Sequence, residues 1–329
     1  MDNAIIKICC FLGAVIIIGL AIYLSQKNLL AKKKRFKAQQ SLAATPKFEF
    51  PETEKLVLKE ILQQSALDCI YLTPVRKEVS VFDSKLGGTP YLPPDFEYPY
   101  NTELQSDKKP LKLLAQLNFS QLPYLEGYPT EGILQFYIAN EVKSDMYGLN
   151  LKNQTEQTGW RVIYHKDIIA DENRLQNPPR LESRGDVYFP FEGEFALVAE
   201  KATQPITCSD FRWQDFVENT LEPKILCESL KERYKENNVT EDDIEDLLRE
   251  ISCEFGFRIG GYPAFTQEDP RSYGKNTNHT TLLLQLDSWS NKDDPGIMFG
   301  DSGVANWFIA PKALANCDFS DVLYNWDCY

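Results

Sequence analysis

Gln116 and Gln285 are the polar side chains with most chemical promise, because each interrupts an apolar, strand-like run. These runs are Leu113-Leu114-Ala115-Gln116-Leu117 and Leu282-Leu283-Leu284-Gln285-Leu286. A buried amide must find hydrogen-bond partners. One account is structural, a matched pair of glutamines tying neighbouring backbone together, and it is the preferred one. The other is a polar cleft between two halves, where Gln116, Gln285, Asp287 and Asp301 bind a small ligand or serve a hydrolytic enzyme. In such a cleft a carboxylate pKa would be perturbed. A separate candidate is the acidic run Asp242, Asp243, Glu245 and Asp246, either a solvated helix face or a surface that meets a basic protein.

Other chemistries are poorly supplied. Gly300-Asp301-Ser302-Gly303 is the tetrapeptide that surrounds the nucleophile of trypsin-like proteases. A working triad needs a histidine base, an aspartate behind it and an oxyanion hole. The two histidines, His165 and His279, stand in no matching context, and Val304 replaces the expected following glycine. His165 with Asp167 falls short of the three or four ligands a metal requires. No GxxxxGK[ST] phosphate loop occurs. No catalytic residue, metal or cofactor is therefore assigned. The late aromatic group Trp307, Phe308, Tyr324, Trp326 and Tyr329 reads as core packing before it reads as a sugar platform.

The elements that must position these residues come in two copies. Leu86-Gly87-Gly88-Thr89-Pro90, the Gln116 run and Gly132-Ile133-Leu134-Gln135-Phe136 recur in order as Ile259-Gly260-Gly261-Tyr262-Pro263, the Gln285 run and Gly303-Val304-Ala305-Asn306-Trp307. From second glycine to glutamine is 28 residues in one copy and 24 in the other; from glutamine to the next landmark glycine is 16 and 18. Order and spacing predict an internal duplication of a β-rich unit, with repeats at about 78–215 and 255–329. Val57, Leu58, Ile61 and Leu62 predict an amphipathic helix over 54–66. A helical insertion is expected at about 213–252, where Thr240 and Asp243 resemble a capping box.

Ile8–Leu24 is 17 residues without a charge, followed by Lys27, Lys32, Lys33, Lys34, Arg35 and Lys37. Length and flanking charge predict one transmembrane helix within a 1–26 anchor, entering the membrane through residues 5–24. A basic linker follows at 27–52, and the domain at 53–329 faces the cytoplasm. The chain carries a formal net charge of −13. Residues 1–40 hold seven basic and one acidic residue, so the remaining 289 hold 28 basic against 47 acidic groups, a net −19. That balance disfavours nucleic acid as a partner. Eight cysteines without CxxC pairs or regular spacing suggest buried free thiols, not a disulfide framework or a zinc site.

The duplicated phrases also carry a resemblance. Ser84-Lys85-Leu86-Gly87-Gly88-Thr89-Pro90, Leu113-Leu114-Ala115-Gln116-Leu117-Asn118, Gly260-Gly261-Tyr262-Pro263, Gly300-Asp301-Ser302-Gly303 and Phe319-Ser320-Asp321-Val322-Leu323-Tyr324 are similar to the YwqG-like family of bacterial proteins of unknown function. The resemblance spans about 55–329 and implies a mainly β, duplicated α+β fold. It implies no enzyme. The expectation is thus an α+β, mainly β chain with a few amphipathic helices, preceded by one transmembrane helix. Its expected role is a membrane-anchored protein-binding module, in its most specific form an immunity-type inhibitor of a basic toxin. Oligomeric state is not legible.

Overall fold

The computed structural model describes residues 49–102, 109–140, 143–181, 189–221, 234–273, 276–291 and 294–329. Among these residues lie twelve strands. They are β1 (Leu67–Val75), β2 (Lys85–Gly87), β3 (Lys112–Asn118), β4 (Ile133–Ile138), β5 (Trp160–His165), β6 (Glu194–Gln204), β7 (Arg258–Gly260), β8 (Thr281–Asp287), β9 (Trp289–Asn291), β10 (Asp294–Ile297), β11 (Val304–Ile309) and β12 (Val322–Asp327). The helices are α1 (Glu52–Gln63), α2 (Trp213–Phe216), α3 (Glu241–Ser252) and α4 (Pro311–Ala315), with short 3-10 and π turns besides.

Ten strands form one antiparallel sheet in the order β12-β11-β8-β7-β1-β6-β2-β3-β4-β5, and β9 with β10 makes a separate hairpin. The order is palindromic. Exchanging β1 to β5 for β6, β7, β8, β11 and β12 leaves it unchanged, with the long β1–β6 pair at its centre. The leading strand of each half pairs with the second strand of the other: β1 with β7, and β6 with β2.

Side-chain alternation assigns the two faces of the arms. Leu134, Phe136 and Ile138 of β4 and Ala305, Trp307 and Ile309 of β11 enter one core, which the sheet reaches by curling on itself. The rings of Phe136 and Trp307 meet edge to face at 5.4 Å, and Trp160 of β5 lies 5.3 Å from Tyr324 of β12. Segment 150–157 bridges the two edge strands: Gln157 Oε1 accepts from Val162 N–H of β5 (2.8 Å), and the Gln154 carbonyl accepts from Tyr324 N–H of β12 (3.0 Å). The apolar runs show little alternation because the outer face is covered too, by loops over Gln116 and Gln285.

This architecture corrects the expected fold class. The described chain is largely β, a near-barrel sheet with few helices, and does not balance helix against sheet as α+β. Helical periodicity at 54–66 and 213–252 overstated the helices. α1 has 12 residues, with Leu58, Ile61 and Leu62 buried and Val57 turned out at 55% exposure. Within 213–252 the described helical residues are one turn of α2, which runs into a π turn at Val217–Leu221, residues 234–236, and the 12-residue α3. Among the described residues no helix is long and apolar enough to cross a membrane. The segment expected to do so, 5–24, lies outside the described residues, as does most of the linker.

Candidate functional site

Both halves build their Gly-Gly corners over a buried polar frame. Gly87, Gly88, Gly260 and Gly261 all have φ between +64° and +71°, a region glycine enters without strain. One strand residue before each pair, separated from it by Leu86 or Ile259, is a cation with no exposed surface, Lys85 in β2 and Arg258 in β7. Lys85 Nζ donates to the carbonyls of Ser80 and Thr89, and Arg258 donates to those of Tyr262 and Glu254. Burial holds the Lys85 ammonium down to about 8, against partial support from Asp83 and Glu194.

The two glutamines belong to this frame. Gln116 Oε1 accepts from Tyr91 N–H (3.0 Å), while its Nε2 donates to the carbonyls of Val81 and Asp83 (2.8 and 3.0 Å). Gln285 Oε1 accepts from Ala264 N–H (2.7 Å) and Nε2 donates to the Gly256 carbonyl (2.8 Å). Each is wholly buried on the outer face of its own arm. Their register partners Gln135 and Asn306 serve backbone in the same way, donating to the carbonyls of Tyr91 and Ala264. Gln116 and Gln285 are not brought together in one cleft.

Asp287 and Asp301 separate as well. Asp287 ends β8, where its carboxylate accepts from Ser288 and Gly256 N–H (2.7 and 2.9 Å). Burial raises its pKa in spite of those bonds and of Arg258. Asp301 sits exposed in the turn before β11, and its carbonyl accepts from Tyr329 N–H. Ser302 in that turn has φ +52° and its hydroxyl faces Met298 Sδ at 3.9 Å. His165 Nε2 instead bonds Gln135 Oε1 (3.0 Å), and His279 pairs with Asp321 (3.2 Å), so no serine–histidine couple forms here. On α3, the Asp243 carboxylate accepts from Thr240 N–H and Oγ1 (2.9 and 2.6 Å) as half of a capping box, and Asp246 is exposed. Asp242 and Glu245 stand on the same helix.

A groove absent from the sequence reading crosses the second half. Its central depression, about 760 Å³, is lined by Cys208, Asp210, Arg249, Cys253, Glu268 and Tyr273 among others. Phe255 and Tyr329 connect it to a depression of about 240 Å³ that includes Asp287 and Met298. Gln267, Glu268 and Tyr273 connect it to another of about 530 Å³ that includes Leu151 and Asp327. Beneath the centre lies a rigid ionic floor. Arg271, without exposed surface, donates to Asp269 (2.7 Å) and Asp210 (2.9 Å), and Arg212 adds bonds of 2.7 and 2.9 Å to Asp210. Burial pushes the Asp210 carboxyl up, but Arg212 and Arg271 together hold it below the usual carboxylate range. The Arg271 guanidinium also stacks 4.1 Å from the Phe308 ring centre.

The wall is apolar and acidic together. Phe255, Tyr273, Met298, Tyr329 and Leu151 are five of the eleven large hydrophobic residues exposed among the described residues, and all five line this groove. Of its lining acids Asp210 and Asp269 are buried and paired with Arg212 and Arg271, which leaves Glu268, Asp287 and Asp327 against Arg249 as the lining base. Such a surface suits a partner that is basic and carries apolar side chains.

A family model for DUF1963, a domain of unknown function, matches residues 84–328. The chain belongs to the DUF1963 family. No curated protein matches it. The DUF1963 match takes in β2 to β12 and every residue that lines the groove except Tyr329, one position past its end. It leaves out β1, although that strand lies at the centre of the sheet between β7 and β6.

Proposed function

We propose that this DUF1963 domain is a protein-binding module that takes a basic, apolar-bearing segment of another protein into the groove of its second half. The observation that carries the reading is the gathering of exposed Phe255, Tyr273, Met298, Tyr329 and Leu151 along one acidic groove. Large apolar side chains left in water on a continuous surface are characteristic of interaction sites. The −19 balance of residues 41–329 would steer a basic partner toward it. An inhibitor that occludes a basic toxin is the most specific form of this proposal, and the likeness to the YwqG-like proteins belongs with it as an expectation. The frame around Gln116 and Gln285 favours the binding reading over the enzyme reading, because those amides are spent on backbone.

The test is selection of random peptides on the full-length protein at low salt. Selected peptides should be rich in Lys or Arg with interspersed aliphatic or aromatic residues, and their affinity should fall as salt rises. Tyr273→Ala and Glu268→Gln should each weaken binding at least several-fold. Peptides of no net charge, or binding unchanged by both substitutions, would overturn the proposal.

A further inference from the structure

Two thiols face each other on the groove wall. Cys253 ends α3, its N–H donating to the Arg249 carbonyl (2.9 Å). Cys208 stands in the turn after β6 that is closed by Asp210 N–H on the Thr207 carbonyl (3.1 Å). The two elements come from opposite ends of the helical insertion, yet their sulfurs share a hydrogen bond and both line the 760 Å³ depression. Neither is closed off from solvent. Arg249 adds positive charge nearby, and both Arg249 and Ser209 line the same depression.

The consequence is one proton held by two sulfurs. The Cys253 thiol bonds to Cys208 and, against the opposing effect of burial, lowers the Cys208 pKa to about 6. Cys253 is raised far above the ordinary thiol value by the same bond and by burial. The pairing biases the shared proton toward Cys253 and Cys208 toward the thiolate, the division of labour that an attacking and a resolving cysteine require. Cys69, by contrast, is buried and raised to about 11 by that burial.

We propose that Cys208 and Cys253 form a thiol–disulfide exchange site on the groove wall, with a low-molecular-weight disulfide as the oxidant. The Cys208 thiolate attacks one sulfur of R–S–S–R, forming a mixed disulfide and expelling R–S⁻. That thiolate takes the Cys253 proton. The Cys253 thiolate then attacks the Cys208 sulfur, closing the protein disulfide and releasing a second R–S⁻, which is protonated by water. Two protein thiols are oxidised and one small disulfide is reduced to two thiols. This inference is independent of the groove's peptide ligand.

The experiment treats reduced full-length protein with oxidised glutathione and maps the cysteines by peptide mass spectrometry, beside iodoacetamide alkylation rates across pH. The expected result is a Cys208–Cys253 cross-linked peptide, with Cys208 alkylation half-maximal near pH 6. At pH 7 a thiolate fraction near one, discounted for the lower nucleophilicity of a low-pKa sulfur, gives roughly fourfold faster alkylation than an ordinary thiol. Cys253→Ala should trap glutathione on Cys208 and move the alkylation midpoint upward. Glutathione remaining on Cys208 in the unsubstituted protein, cross-linking of Cys208 to another cysteine, or an alkylation midpoint near 9 would each overturn the proposal. The wild-type mapping keeps the test valid should the variant fold poorly.

Discussion

Lys85 gives the sharpest test of the buried frame. Its side chain has no exposed surface, its Nζ is held by two neutral carbonyls, and burial brings its pKa from 10.5 to about 8. The direction of the linkage follows from proton counting. Below pH 8 the ammonium is protonated in both the folded and the unfolded chain, and the full desolvation cost opposes folding. Between pH 8 and 10.5 the unfolded chain binds more protons at this site, so stability rises with pH. A gap of about 2.5 pK units is worth roughly 3 kcal/mol when complete, and about 2 kcal/mol of it is gained between pH 7 and pH 9.5. Buried tyrosines titrate above that window, and comparison with Lys85→Met cancels their effect. Urea unfolding of both proteins at the two pH values reads the difference. Lys85→Met should be destabilised at pH 7, since two carbonyls lose their donor, and its deficit should be about 2 kcal/mol larger at pH 9.5. A deficit that stays constant or shrinks with pH would refute the claim that Lys85 is an ammonium held in a low-dielectric corner.

Two further substitutions probe the same frame, and Gly127→Ala outside it is the control. Gly261→Ala places a Cβ 2.5 Å from Gln204 Oε1 at φ +67°, and Gln204 cannot retreat without releasing Tyr262 N–H; we expect a loss of about 2–4 kcal/mol in urea unfolding. Gly127→Ala, with open space at φ +82°, should cost about 1 kcal/mol, and equal costs would remove the steric argument. Gln285→Leu strands Ala264 N–H in the core and removes the donor to the half-buried Gly256 carbonyl, and should cost about 2–3 kcal/mol; a ligand-binding role alone would leave thermal stability unchanged.

The strands and the corners were legible because their signals are local. Apolar runs around Gln116 and Gln285, paired glycines and the Thr240–Asp243 cap each fall within a few residues, and each sits where its pattern predicts. The structural role of the glutamines followed from one rule, that a buried amide must bond. The buried cations were missed, since a single lysine or arginine reads as surface. A signal was present all the same: Lys85-Leu86-Gly87-Gly88 and Arg258-Ile259-Gly260-Gly261 repeat the cation at the same place in both copies. The groove has no such signature. Its wall is gathered from Leu151, the Cys208 turn, the end of α3, the segment 265–273 and Tyr329, which no periodicity connects. The same holds for Cys208 and Cys253, 45 residues apart and joined by tertiary packing alone.

The palindromic sheet offers an internal control for where function resides. Strand positions correspond between the halves, so Asn118 at the end of β3 matches Asp287 at the end of β8, and His165 of β5 matches Asp327 of β12. In the first half these positions are neutral, Asn118 half-buried and His165 buried. Asn118 caps the following turn and bonds the Phe82 carbonyl, while His165, lowered to about 4 by burial, is boxed by the rings of Tyr91 and Phe96 at 5.2 and 4.9 Å. In the second half both positions are carboxylates that line the groove, each with its pKa raised by burial. Raising those pKa values means that burying the acids costs stability, and the first half folds the same scaffold without that cost. A stability argument alone would favour the neutral pair in both copies. Part of that cost is offset by backbone N–H groups, Gly256 and Ser288 on Asp287 and Thr266 on Asp327, and under the proposed function a cationic partner seated in the groove would recover more of it on binding.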